Sequence, residues 1–307
     1  MSRAREHDRG EPMNTKTIRP LPAAIPIFVL LVSAATVAAC GTPPSEAPQQ
    51  SATPAPPAAA PPAAQADPHW DYGHEVGPAA WGGLSPKYAM CGEGRSQSPI
   101  DITTSTPTAL PELRAQYRPA SLHIVHHEHK ADVVNTGHSI QVNYPEADTL
   151  AVGAETFTLV QYHFHSPSEH TVNDEHFPME MHLVHKSADG KLAVVGVFIE
   201  EGAQNAAFDP VWANLPREKG VEQHYEDIEV DVNQLLPARR ATYRYDGSLT
   251  TPPCSEGVKW FVITTPIQLS ASQIGEFREI LTGNNRPVQP LNGRIVMVDT
   301  MTGKPGP

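Results

Sequence analysis

Two short segments of the chain carry residue types that bind metal ions. Leu159-Val160-Gln161-Tyr162-His163-Phe164-His165 holds an HxH pair, and Met179-Glu180-Met181-His182-Leu183-Val184-His185 holds an ExH pair. Side chains of a β-strand alternate between its faces. As strands, the first segment puts Gln161, His163 and His165 on one face and Tyr162 and Phe164 on the other, while Glu180, His182 and Val184 share a face of the second. The connection is short enough for neighbouring antiparallel strands, and pairing them brings the imidazoles of His163, His165 and His182 to one point. Three neutral nitrogen donors without a fourth strong ligand suit a catalytic zinc ion that keeps a position open for water. Gln161 and Glu180 each stand two residues before a ligand, where they can accept from the rings of His163 and His182. Such a partner fixes the tautomer and orientation of a ligand. The chain has 15 histidines, so the spacing carries this reading and no single residue does. A second cluster, His123, His126, His127 and His129, lies in a polar stretch (LHIVHHEHKAD) and reads as a solvated strand end or loop.

The elements that must position these residues are mostly strands. Ala131–Asn135, Ser139–Tyr144, Thr156–His165, Met179–His185, Leu192–Glu200 and Lys259–Thr264 alternate or are apolar and β-branched, with turn residues such as Ser187-Ala188-Asp189-Gly190 and Asp246-Gly247 between them. Helical periodicity is best over Ala206–Asn214 and Ser270–Leu281, the second with Ser270 as its N-cap. The fold class expected is mainly β: a single domain on a large twisted, mostly antiparallel sheet with a few short peripheral helices.

Composition sets the surroundings. The net charge of the 307 residues is −12, and beyond residue 39 there are 17 basic against 31 acidic side chains. Such a surface repels phosphate backbones, which argues against nucleic acid as a partner. Lys16 and Arg19 precede an apolar run from Ile25 to Ala39 that falls short of the ~20 residues a membrane span needs. A basic flank, a short apolar core and small residues at its end describe an export signal over residues 1–39, and Met13 could be its start, since residues 1–12 add nothing a signal needs. Val37-Ala38-Ala39-Cys40 resembles the lipobox of bacterial lipoproteins, which implies lipid on Cys40 and a membrane-anchored protein in the periplasm or at the cell surface. Residues 40–68 are rich in Pro and Ala and read as a disordered tether. From His69 to about residue 300 nothing interrupts a single domain, and residues 301–307 form a tail. With Cys40 lipidated, Cys91 and Cys254 remain, either bridged as an exported protein allows or as separate buried thiols.

Eight markers in order give the chain a resemblance to the α-class carbonic anhydrases over nearly all of His69–Val298: His69–Gly73, Gly94–Ile102, Asn135–His138, Gln161–His165, Ser168–Thr171, Glu180–His185, Gly247–Pro253 and Arg286–Pro290. The resemblance implies a conical cleft in which Zn2+, on His163, His165 and His182, makes a hydroxide that hydrates carbon dioxide reversibly to bicarbonate and a proton. It implies that Thr250 accepts the proton of that hydroxide and donates its own to Glu169. It implies His138 as proton shuttle, with Tyr72, Asn135 and Gln141 ordering water. Thr251 would position bicarbonate, and Val184, Val194, Leu249, Val258 and Trp260 would form the apolar wall for carbon dioxide. Cys91 and Cys254 match a disulfide of exported members. Esterase activity is a side reaction open to the same hydroxide. A homodimer is compatible with the sequence. Two rival readings are a non-catalytic binding module of this fold, which would typically lose a zinc ligand, and a surface zinc store, which would favour a closed four-ligand site.

Overall fold

A computed structural model describes residues 67–128, 137–144, 148–220 and 222–299. The expected export signal, most of the expected tether, Cys40, Asn135, the expected strand 131–135, His129 and the expected tail lie outside the described residues. In chain order the strands are β1 (Asp101–Ile102), β2 (Thr106–Thr108), β3 (Leu113–Gln116), β4 (Ala120–Glu128), β5 (Gly137–Asn143), β6 (Thr149–Val152), β7 (Glu155–His165), β8 (Thr171–Val172), β9 (Glu175–His176), β10 (Met179–Lys186), β11 (Leu192–Glu201), β12 (Glu222–Val230), β13 (Thr242–Ser248), β14 (Glu256–Leu269) and β15 (Met297–Asp299). Twelve of them form one sheet in the order β12-β4-β5-β7-β10-β11-β14-β13-β15-β2, with β3 and β6 attached beside β7, while β1, β8 and β9 form a small second sheet. Within the large sheet β11 pairs β14 and β15 pairs β2 in parallel, and the other pairings are antiparallel. The expected mainly β, mostly antiparallel domain is what the chain forms.

Alternation builds the core. Tyr162 and Phe164 of β7, Met181 and Leu183 of β10 and Val195 and Val197 of β11 are buried in the main apolar cluster. Val194 and Phe198 of β11 join Val258, Trp260 and Val262 of β14 in a second cluster. β11 is buried over most of its length, as the unbroken run LAVVGVFI demands of a strand covered on both faces. Val160 is the extra residue of a bulge, since Gln161 lies opposite Val184 and Leu159 opposite His185. The bulge swaps faces, so Phe157 and Leu159 enter the same core as Tyr162 and Phe164.

The helix Ala271–Ile280 opens with the expected Ser270 cap, completed to a capping box by Gln273. Two expectations need correction, and one is narrowed. Ala206–Asn214 is not one helix but a 3-10 turn at Ala206–Phe208 followed by one α-turn at Asp209–Trp212, because Pro210 cannot donate a backbone N–H to an earlier carbonyl. His123, His126 and His127 lie in β4, which pairs with β12 on one side and β5 on the other; the last two stand at its end, so of the two alternatives it is the strand end that forms. Asp246-Gly247 is not a turn but part of β13. A Cβ at Gly247 would stand 2.1 Å from Ser98 Oγ and 2.8 Å from Trp260 and Tyr245, so this glycine serves close packing.

β10 also buries His185, whose Nε2 lies 2.7 Å from the Tyr117 hydroxyl. Burial pushes the His185 pKa down to about 4, against a partial upward pull from the Leu183 and Ala193 backbone. The unfolded chain takes this proton near pH 6.5 and the fold refuses it until about pH 4, so stability falls as pH drops through that window, by about 3 kcal/mol in all. In urea unfolding, His185→Gln should therefore flatten the loss of stability between pH 7 and pH 4.5; an unchanged slope would refute this.

Candidate metal centre

The pairing of β7 with β10 places His182 directly opposite His163, and Glu180 opposite His165. On the other side of β7, Gln141 of β5 lies opposite His163. One ring nitrogen from each of His163, His165 and His182 lies within 4.8 Å of the others. Each ring is held from behind. The His163 Nδ1–H donates to Gln161 Oε1 at 2.8 Å, the His165 Nδ1–H donates to the Asn284 carbonyl at 2.7 Å, and His182 Nε2 lies 2.9 Å from Glu180 Oε1. His165 Nε2 is buried with no hydrogen-bond partner among the described residues, although such an atom is costly to bury unless something binds it. A tetrahedral ion with bonds of about 2.0–2.1 Å fits three such donors, and an all-imidazole set suits zinc. Burial lowers the His165 pKa, which keeps its lone pair available at neutral pH. Burial also works to lower that of His182, but the Glu180 carboxylate raises it on balance.

A second buried group, His170, Glu180 and His182, also brings donor atoms together. It is already a closed hydrogen-bond network. Glu180 Oε2 accepts from the backbone N–H groups of Glu169 and His170, and Oε1 accepts from His170 Nδ1 at 2.8 Å. The other His170 nitrogen meets the Tyr245 hydroxyl at 2.6 Å, and that hydroxyl donates to Ser98 Oγ at 3.0 Å. Burial alone would raise the Glu180 pKa, but the His170 and His182 rings hold it well below the ordinary carboxylate value. Gly196 of β11 faces His182, and a Cβ there would stand 2.9 Å from Glu180 Oε1, so the carboxylate occupies the space a side chain would need.

The other expected residues surround this centre. Glu169 is fully buried, with Oε1 accepting from the Arg286 backbone N–H at 2.8 Å and Oε2 lying 3.6 Å from His165 Nε2 and 3.8 Å from His182 Nδ1. Thr250 is buried, and among the described residues no hydrogen bond joins it to Glu169 Oε2. Val194, Val258 and Trp260 are buried in one cluster, with Val184 and Leu249 packed against it, and Trp260 stands edge-on to the His182 ring at 4.9 Å. Val184, Val194 and Trp260 are consecutive across β10, β11 and β14. His138 is buried and stacks on Trp70 at 3.6 Å, with Tyr72 edge-on at 6.1 Å. Gln141 donates to Asn143, and the Thr251 carbonyl accepts from the Cys254 N–H in the turn that follows Thr250.

A family model for eukaryotic-type carbonic anhydrase matches residues 76–300. The chain belongs to that family. The carbonic anhydrase domain is 42% identical over 234 residues to a carbonic anhydrase of Nostoc sp., covering 75% of this chain and 85% of the relative. It is 43% identical over 232 residues to one of Pectobacterium carotovorum, covering 75% and 90%. The α-carbonic anhydrase of Thermovibrio ammonificans, solved with sulfanilamide, superposes with a TM-score of 0.69 at 43% identity, covering 75% of this chain and 98% of that one.

Within the carbonic anhydrase domain Cys91 and Cys254 form a disulfide. Several supporting residues have roles that sequence reasoning missed. Arg286 is buried, donates from its guanidinium to Gln97 Oε1, Ser98 O and Cys91 O, and holds Glu169 with its backbone. Burial lowers its pKa to about 10 despite the Glu169 charge. His170, Tyr245 and Asn284 likewise act at the site, the last two from positions outside every marker. His170 lies inside the Ser168–Thr171 marker, and its proximity to the ExH segment was the one available clue.

Proposed function

We propose that this chain hydrates carbon dioxide reversibly to bicarbonate and a proton, using a zinc ion held by His163, His165 and His182. The observation that carries the reading is the convergence of three imidazoles, each held from behind, beside an apolar wall. When bound, the ion would supply a Lewis acid on neutral ligands that makes water nucleophilic near neutral pH; a pKa of roughly 7 is the established value for zinc-bound water in carbonic anhydrases as a class. Val184, Val194, Leu249, Val258 and Trp260 offer carbon dioxide, which has no net dipole, a surface that does not compete with water. Glu169 can only accept at Oε2, because a carboxylate oxygen has no proton to give. A hydroxyl between it and the nucleophile must then donate to Oε2 and accept from the nucleophile, and Thr250 is the residue suited to do so. Thr251 would orient the product, and His138 would pass the released proton outward, helped by Tyr72, Gln141 and Asn135. Activated esters are within reach of the same nucleophile. The export signal and Cys40 support a lipid-anchored location outside the cytoplasm.

Stopped-flow hydration measured with zinc content on the same sample tests this. Fast hydration at one zinc per chain supports it, and stoichiometric zinc without hydration would favour a binding module. Glu169→Gln replaces an acceptor by a group that can also donate, which lets the Thr250 hydroxyl turn the wrong way. It should lower kcat/KM by about 10²–10³-fold with zinc retained, the size of effect that loss of one oriented hydrogen bond has in other active sites. A variant with wild-type kcat/KM would remove Glu169 from the mechanism.

A further inference from the structure

We propose that Asn284 is a positioning residue that sets where the His138 ring stands relative to the three-histidine centre; the inference rests on the function proposed above. The ladder between β5 and β7 covers only Gln141–Asn143 against Gln161–His163. Beyond it β5 runs back to Gly137 and β7 runs on to His165, so the strands part where His138 and Phe164 stand. The Asn284 amide bridges the two at this opening. Its Nδ2 donates to His138 O at 3.1 Å and to Phe164 O at 2.9 Å, and its Oδ1 accepts from the Ser166 N–H at 2.9 Å. Three of the four hydrogen bonds an asparagine can make are thus spent on two strands. The Asn284 carbonyl takes the His165 Nδ1–H at 2.7 Å, and the preceding Gly283 N–H donates to Ser166 O. One residue therefore holds a ring of the metal centre through its backbone and the backbone of His138 through its side chain.

Asn284 is 1% exposed, so deleting its amide strands two carbonyls and an N–H where bulk water does not reach. The strands must then shift, and the His138 ring shifts with its backbone against Trp70, on which it stacks at 3.6 Å and 19°. Proton relays depend on spacing, and a displacement of about 1 Å in an active site can cost on the order of 10²-fold.

Asn284→Ala and Asn284→Asp test this with two readouts. In the metal-free protein, the His138 ring protons, assigned by loss in His138→Gln, should show the upfield ring-current shift of a group stacked on indole. Both Asn284 variants should collapse that shift. In the zinc-loaded protein at low buffer, kcat for hydration should fall about tenfold, at least about fivefold more than kcat/KM falls, and added imidazole should restore it. Unchanged ring shifts, or kcat and kcat/KM falling in step without imidazole rescue, would overturn the proposal. If a variant fails to fold, Asn284→Ser, which keeps one donor, carries the same readouts. A wild-type chain that binds zinc but does not hydrate carbon dioxide would sink the functional reading alone, and the ring shifts would still decide the clamp.

Discussion

His165→Ala should remove zinc and activity together. Its Nε2 is the buried ring nitrogen that lies 3.6 Å from a carboxylate oxygen without a hydrogen-bond partner, and its other nitrogen is fixed by the Asn284 carbonyl. Losing a partner behind a metal ligand typically costs about 10–100-fold in affinity or activity, so losing the ligand itself should cost at least about 10³-fold in hydration. Zinc per chain, measured after dialysis against chelator, should drop from one to near zero. Full zinc occupancy in His165→Ala would place the ion instead on the neighbouring His170–Glu180–His182 group, whose nitrogens and oxygens the hydrogen-bond network otherwise consumes. The two donor sets share His182, so His165 is the substitution that tells them apart.

Removing the disulfide with Cys91→Ser and Cys254→Ser together should cost the domain several kcal/mol of stability. The bond closes a loop with a sequence separation of 163. Chain entropy puts the stabilisation from a loop of that length at about 5 kcal/mol. For a domain of this size that corresponds to a fall in Tm of roughly 10–20 °C. The effect should reach the site as well. Cys254 follows the Thr250–Pro253 turn, and the carbonyl of Cys91 anchors the Arg286 guanidinium, whose backbone N–H holds Glu169. Calorimetry and hydration rates on the double variant check both parts. A Tm within a few degrees of wild type would show that packing of Trp81, Tyr88 and their neighbours alone holds these segments together.

What could be read from the sequence was whatever rests on local period. Alternation placed His163, His165 and His182 on faces that β7 and β10 do present to each other. The N-cap at Ser270 was readable for the same reason, since a cap and the helix it opens are neighbours in sequence. β12 escaped notice because its sequence, EQHYEDIEV, places charged and histidine residues where a half-buried strand would alternate. Gly247 looked like a turn because a glycine in a strand gives no sign of the Ser98 hydroxyl that excludes a side chain there. Asn284, Tyr245 and Arg286 act through partners 75 to 195 positions away, and no window along the chain contains both ends of such a bond.

The anchoring of Arg286 has a bearing on when the protein becomes active. Its guanidinium binds the carbonyls of Cys91 and Ser98, and its own backbone completes Glu169, so the first segment of the domain and nearly the last must meet before the site exists. Contacts this distant along a chain form late, because the closure of the intervening loop must come first. A chain whose synthesis has passed β10 contains all three histidines, yet it lacks the segment that orients Glu169 and the carbonyl that orients His165. The ordering of Glu169 and of the His165 ring therefore waits on Asn284 and Arg286, which leave the ribosome long after the three histidines do.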